Sequence, residues 1–433
     1  MKERDRRIGL EQEFFLVDTS GAISDRADEF LEHCRALATT QGRNPDYFAP
    51  EFVKNMVEVN TPPVYRMSEL AIEYLENLKL ALHVAHELDL RLYPLSQYPL
   101  HFTPVIRNEL NYHVQARTVG YDRFLRAGRC IGTHLHIELP PGTIDPDIGI
   151  SYETSSADRA EALSLYNLVT ALDPALIAFS RACPFYEGNV FGLAARTVHY
   201  RGSYDFGWEG VYTHLPQAGE LQPYATNVAS LVRMQFARYY AWLEAMDRAD
   251  VKRSLFFEAG GSLLKSAWNP VRLNALGTVE SRGTDSDYPS VILAIAALVY
   301  SAAIRVRHEG LTVRPVAGVH AFEIYEDLLA VPEFDYLNGT LLYAATTEGV
   351  KHPDVIAYLN SILAFVKESD PDSAIYLQTF GISIENYKTT ETEILQEFAP
   401  VTAEISRDDG LRLVRKACDI FERQVSMLVG QHA

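Results

Sequence analysis

An α+β protein with a curved, mainly antiparallel sheet is predicted by three features of this sequence. Short β-rich runs recur at 8–18, 52–60, 131–139, 190–200 and 276–282, each closed by a turn containing Gly, Pro or Asp. Helical runs lie between them without the regular strand–helix alternation of a doubly wound parallel sheet. The last hundred residues carry helical spacing almost throughout.

The run at 8–18 alternates weakly and ends at Thr19, Ser20 and Gly21, a turn. A helix is expected over 68–88, with Ser68 as N-cap, Glu69 in the first turn, and Leu75, Leu78, Leu82 and Ala85 on one face. Another covers 157–171, after which Asp173 and Pro174 would cap and open a successor. The apolar stretch 291–304 stops at Arg305 and Arg307, short of the ~18 uninterrupted apolar residues of a bilayer span, and reads as a buried helix. Near the end, Val414, Ala417, Phe421, Val425 and Leu428 make a core-facing stripe on a helix over 411–428, with Cys418 beside it. No repeat or long linker divides the chain, so residues 1–433 are expected to form a single domain, mainly helical from about 330.

Hydrophobic residues make up 47% of the 433, enough for a sizeable core. With 39 Lys and Arg against 57 Asp and Glu, the net charge of −18 repels a phosphate backbone and argues against nucleic acid as a partner. A nucleotide can still bind if metal ions stand between its phosphates and the protein's carboxylates. Cys34, Cys130, Cys183 and Cys418 are scattered without a CxxC pair, which disfavours a disulfide framework or a structural zinc. The N-terminal run MKERDRRIGL is charged and passes straight into a strand, so neither signal peptide nor membrane is expected and the compartment is cytoplasmic.

Four clusters could carry chemistry. In GLEQEFF, Glu11 and Glu13 are two apart, so a strand projects both carboxylates from one face while Leu10 and Phe14 take the other. Such neighbours repel unless solvated or neutralised by a cation, and the pair taken alone reads first as an exposed acidic edge strand. In PEFVKNMVEVNTPP, Glu51 and Glu58 are seven apart, an odd spacing that lets both reach one site only if Glu51 precedes the strand or a bulge intervenes. In GTHLHIEL, His134, His136 and Glu138 share one face, and two histidines so spaced can reach one metal ion. No third nitrogen or sulfur ligand lies nearby, so the companion carboxylates favour magnesium, with manganese as a substitute, over zinc. In GTVESRGTD, Glu280 and Arg282 are two apart with Asp285 beyond the Gly283 turn; a guanidinium beside a metal-bound carboxylate suits charge developing on a transferring phosphoryl group. The bland reading there is a surface ion pair.

Taken together, GLEQEF, the acidic segment from Glu51 through VEVNTPP, GTHLHI and GTVESRGTD resemble, in order, the motifs of the glutamate-cysteine ligase superfamily, specifically its second family, which includes the bacterial carboxylate-amine ligases. The resemblance implies a half-funnel sheet like the catalytic part of glutamine synthetase, flanked by helices. It places Glu11, Glu13, Glu51, Glu58, His134 and Glu280 on the family's ligand positions for two or three magnesium ions bridging ATP, and Arg282 on the arginine that steadies the γ-phosphoryl group. It implies a single catalytic domain that phosphorylates a carboxylate, such as the γ-carboxylate of glutamate, for attack by an amine such as cysteine, as in glutathione biosynthesis. Arg196, in GLAARTVHYRG, is the expected clamp for the anionic substrate, with Arg201 or Arg272 as alternatives. The chain departs from the family at Gln12, where many relatives carry glutamate, at Arg272, which is shifted by about one position, and in PLSQYPLHFTP. The segment 200–215, dense in Tyr, Gly and Trp208, reads as a substrate loop or as a packed aromatic surface. The partners expected are small molecules, ATP and amino acids; the sequence leaves the oligomeric state open. Two rival readings remain: a metal-dependent hydrolase built on His134, His136 and the carboxylates, which would turn over without ATP, and a non-catalytic nucleotide-binding relative.

Overall fold

The computed structural model describes residues 6–367, 369–398 and 403–432; the first five residues of the charged N-terminal run lie outside them. Seven strands form the main sheet: β1 (Ile8–Asp18), β2 (Phe48–Pro50), β3 (Met56–Asn60), β4 (Leu90–Tyr93), β5 (Gly132–Glu138), β6 (Val271–Asn274) and β7 (Thr278–Asp285). They run in the order β6-β7-β5-β1-β3-β2, with β4 paired to the far half of β1, and every pairing is antiparallel. The sheet is open, with β6 and β2 as its ends. A smaller three-stranded sheet spans 312–331.

β1 is the axis because both of its faces have work to do. Its even-numbered residues, Leu10, Gln12, Phe14 and Leu16, turn towards helices; Phe14 meets Phe421 with ring centroids 5.3 Å apart. Odd-numbered residues begin with Glu11 and Glu13 and continue into Phe15, which joins an aromatic cluster with Tyr93, Tyr98 and Phe102. The helices behind the sheet are α1 (Ala27–Thr40), α2 (Met67–Glu87), α3 (Ser156–Phe179), α4 (Pro289–Glu309) and the terminal α5 (Arg407–His432). α3 and α4 are long and apolar enough by length and composition to cross a bilayer, yet both are buried inside the fold, where protein rather than lipid covers their apolar surface. All four cysteines are free and buried.

Several expected boundaries differ. α2 starts at Met67 after an Arg66 with no side-chain cap, and the Ser68 hydroxyl instead donates to Asp372 Oδ2 at 3.0 Å. The helix expected to stop at 171 runs unbroken to Phe179 with Pro174 inside it. Burial of nearly every residue from Leu165 onward compensates the hydrogen bond that Pro174 cannot make, and Asp173 serves as the acceptor for Arg201 Nη1 at 2.8 Å rather than as a cap. The strand expected over 52–60 occupies only 56–60. The run at 190–200 is not a strand: after a two-residue hairpin it winds into a π-helical turn, Arg196–Arg201. Its first N–H groups, from Ala195 and Arg196, donate to the Asp285 carboxylate at 2.9 and 2.8 Å, a partner ninety residues away that local sequence does not reveal.

Candidate functional site

The register of the central strands gathers the charged residues on one face. Glu13 stands opposite Glu58 across β1 and β3, and Glu11 opposite Asn60. On the other side Glu11 faces His134 of β5. One strand further, His136 faces Glu280 of β7, which faces Arg272 of β6. Period-two alternation then brings all of these side chains out on the same side. Glu51 arrives by another route, in the link from β2 to β3, one residue beyond the Pro50–Val57 pair. Its odd spacing from Glu58 is resolved by a chain reversal, not by a bulge.

Among the described residues, three sets of side chains offer ligand atoms within 4.8 Å of one another: Glu13, Glu51 and Glu58; Glu11, Glu58 and His134; and Glu11, His136 and Glu280. The six residues expected as ligands therefore converge, and His136 joins them. Its signal was present in the sequence, since it shares the face of His134. Glu138, two residues on, instead pairs with Arg7 at the sheet's edge.

The electrostatics fit a cation. Burial, then the neighbouring Glu13, pushes the Glu51 carboxyl up to about 8. Burial, then Glu11, Glu51 and Glu13, raises Glu58 well above the usual range, against a hydrogen bond from Asn60 Nδ2 at 2.9 Å. Desolvation also works against ionisation of the half-buried Glu11, but the adjacent His134 and His136 outweigh it and hold the group below the usual range. Four carboxylates share this small volume, and among the described residues Arg196 is the single guanidinium paired to them, at Glu13. One or more divalent ions would relieve the repulsion, and a donor set of carboxylates with at most one imidazole per group suits magnesium or manganese better than zinc.

Glu280 is differently placed. Its oxygens accept from Arg272 Nε at 2.7 Å and Nη2 at 3.2 Å, from Asn274 Nδ2 at 2.7 Å and from Arg282 Nη1 at 2.8 Å. Burial works against its ionisation, but Arg272 and Arg282 outweigh it and hold the group well below the carboxylate range. Tyr200 couples the arginines: its ring lies 4.6 Å from the Arg196 guanidinium, and its hydroxyl accepts from Arg282 Nη2 at 3.4 Å. Arg196, Thr197, Tyr200, Arg201, Trp268 and Arg282 line a cavity of about 10 Å³ beside the cluster. Thr197 Oγ1 and Arg282 Nε are buried there without hydrogen-bond partners among the described residues. The segment 200–215 thus divides: Tyr200 touches the site, while Trp208 stacks on Tyr343 elsewhere.

Arg196 reaches the cluster over Gly132. Its Nη1 donates to Glu13 Oε2 at 2.9 Å and its Nη2 lies 3.3 Å from His134 Nε2. A Cβ built on Gly132 would stand 2.3 Å from Arg196 Cδ, so only glycine leaves this passage open. Gly132→Ala is expected to lower stability by about 1–3 kcal/mol through overpacking and to loosen the Arg196–Glu13 pair; urea unfolding monitored alongside turnover checks both effects. Gln12 points away from this face: its amide donates to Ser286 Oγ and the Asp287 carbonyl at 2.9 and 2.8 Å, and its Oε1 accepts from Tyr74. The missing glutamate at that position therefore leaves the acidic face untouched.

Comparison with known proteins agrees with this geometry. A curated relative in Pseudomonas aeruginosa PAO1, named "Putative glutamate--cysteine ligase 2", is 27% identical over 191 residues, 44% of this chain and 45% of that protein. In Legionella pneumophila Corby, one named "Putative glutamate--cysteine ligase 2-1" is 24% identical over 219 residues, 50% of this chain and 51% of that one. The matched stretch thus spans about half the length of each relative. Among solved structures, a glutamate-cysteine ligase from Francisella tularensis in complex with AMP superposes over 100% of this chain and 94% of its own, with TM-score 0.56 at 13% identity. A bifunctional glutathione synthetase from Pasteurella multocida covers 98% of this chain and 53% of its own, with the same TM-score at 14% identity. The fold is accordingly shared with these two solved structures, an open antiparallel sheet flanked by helices. The model of glutamate-cysteine ligase family 2 matches residues 7–307, taking in every strand of the acidic face, and the chain belongs to that family.

Proposed function

We propose that this protein is an ATP-dependent ligase that phosphorylates a substrate carboxylate, most simply the γ-carboxylate of glutamate, and joins the resulting acyl phosphate to an amine such as that of cysteine. The observation that carries the reading is the convergence of Glu11, Glu13, Glu51, Glu58, His134 and Glu280 on one sheet face, with arginines at its border. Family membership supports the reaction class.

On this reading those six residues hold two or three magnesium ions, which when bound would neutralise the triphosphate and the charge of phosphoryl transfer. Manganese would serve in their place. Arg282, held between Glu280 and Tyr200, is placed to steady the transferring γ-phosphoryl group and the acyl phosphate. Arg196 is the clamp for the anionic substrate, with its pairing to Glu13 exchanged for the substrate carboxylate once cations neutralise that glutamate. Arg272, bonded through two nitrogens to Glu280, acts here by orienting that carboxylate rather than by touching substrate. The site needs no nucleophilic side chain, because the attacking groups belong to the substrates. We take residues 1–433 as a single catalytic unit, since the strands of the face come from both ends of 8–285.

ADP release with Mg²⁺ and glutamate, screened across amines, tests the proposal. Release that requires both a carboxylate substrate and an amine is the expected result. Turnover of amide or ester substrates without ATP would replace the ligase reading with a hydrolase.

A further inference from the structure

Strand β5 presents two histidines to the acidic face, and the proposed reaction uses only His134. We propose that His136 is itself a direct ligand of a divalent cation through Nε2, completing a site with Glu11 and Glu280 in which Thr278 orients the ring. The inference rests on the ligase reading only in taking this face to be a cation site.

The side chain is buried, 6% exposed, and its two nitrogens have different surroundings. Nδ1 lies 2.9 Å from Thr278 Oγ1, on the neighbouring strand. Nε2 has no aligned hydrogen bond among the described residues, although it lies 3.2 Å from Glu11 Oε1 and within one ligand group with Glu280. A ring nitrogen left unpaired beside carboxylates is costly in a buried site unless a positive group comes between them. Metal-bound histidines characteristically tie their second nitrogen to an outer partner that sets the tautomer, the part played here by Thr278. With the Thr278 hydroxyl accepting from Nδ1–H, Nε2 carries the lone pair.

His134 is less free. Its Nδ1 lies 3.1 Å from Glu11 Oε2, and its Nε2 lies 3.3 Å from the Arg196 guanidinium and 3.4 Å from Glu13 Oε1. A cation reaching that Nε2 must displace an arginine; one reaching His136 Nε2 need not. An added imidazole also tilts this position towards manganese over magnesium, because nitrogen ligands suit the softer ion.

The test is Mn²⁺ binding to the full chain without nucleotide, following free Mn²⁺ by electron paramagnetic resonance. His136→Asn keeps a polar atom near Thr278 and removes Nε2. It is expected to weaken one class of Mn²⁺ sites at least tenfold, leaving the others unchanged. Thr278→Val, which removes only the orienting hydroxyl, should weaken the same class by roughly tenfold, the lower end of what outer partners contribute. Should His136→Asn fail to fold, Thr278→Val decides alone. Wild-type protein that binds Mn²⁺ while both variants bind it identically overturns the inference and leaves the cation site standing. Wild-type protein that binds no Mn²⁺ overturns both.

Discussion

Replacing Glu58 with glutamine is expected to abolish metal-dependent ATP turnover while making the metal-free protein more stable. Glutamine preserves the side chain's length and an oxygen for Asn60, yet removes the charge opposite Glu13. The direction of the stability change follows from proton linkage. Burial and the adjacent carboxylates raise Glu58 well above its ordinary value and Glu51 to about 8. A carboxyl whose folded pKa is raised binds more protons in the folded state than in the unfolded state throughout the window between the two values. Stability of the metal-free protein therefore falls as pH climbs from about 4.5 to about 8. His136, raised chiefly by Glu280 against the effect of burial, adds to this fall, whereas His134, lowered by burial and by Arg282, opposes it. The difference between variant and wild type isolates Glu58 from both histidines. At pH 8 the variant should gain about 1–3 kcal/mol, the scale of a buried group relieved of an unmet demand, and the gain should shrink towards pH 5. Thermal melts across this range, with and without Mg²⁺, measure it. Intact ADP release by the variant would remove Glu58 from the cation site.

Arg282→Ala should lower ADP release by about 10³-fold, in line with the loss of an arginine that stabilises phosphoryl transfer. Cation binding should survive, because Glu280 keeps three donors from Arg272 and Asn274. Arg282→Lys should recover little: lysine offers a point charge without the fork that reaches Glu280 and the Tyr200 hydroxyl together. Turnover and Mn²⁺ binding measured on the same preparations separate the two roles. Unchanged turnover in the alanine variant would place the phosphoryl-steadying charge elsewhere, with Arg196 next in line.

Strand patterning made much of the acidic face legible. Glu11, Glu13, His134, His136 and Glu280 sit in alternating runs whose period assigns each to a face, and the motifs carried the family resemblance. Less legible were the places where distant groups decide local structure. The run around Arg196 has β-like composition, but the Asp285 carboxylate satisfies its leading N–H groups and holds it as a helical turn. Asp173–Pro174 has the chemistry of a helix start, but buried packing of α3 and the Arg201 partner carry the helix through it. In both, tertiary hydrogen bonds override a local preference of a few kcal/mol at most.

By itself the sequence determined which residues could share a face, because side-chain alternation is a property of each strand alone. Only the tertiary structure decided which faces meet. Register set Glu13 against Glu58 and His136 against Glu280, and a chain reversal brought Glu51 in where no count of residues could. It also divided the arginines, drawing Arg196 to Glu13 across Gly132 and binding Arg272 to Glu280. The physical reason is range: alternation acts over two residues, whereas repulsion among the clustered carboxylates and the pairings that offset it depend on groups as far apart in the chain as Glu13 and Arg196, separated by 183 positions.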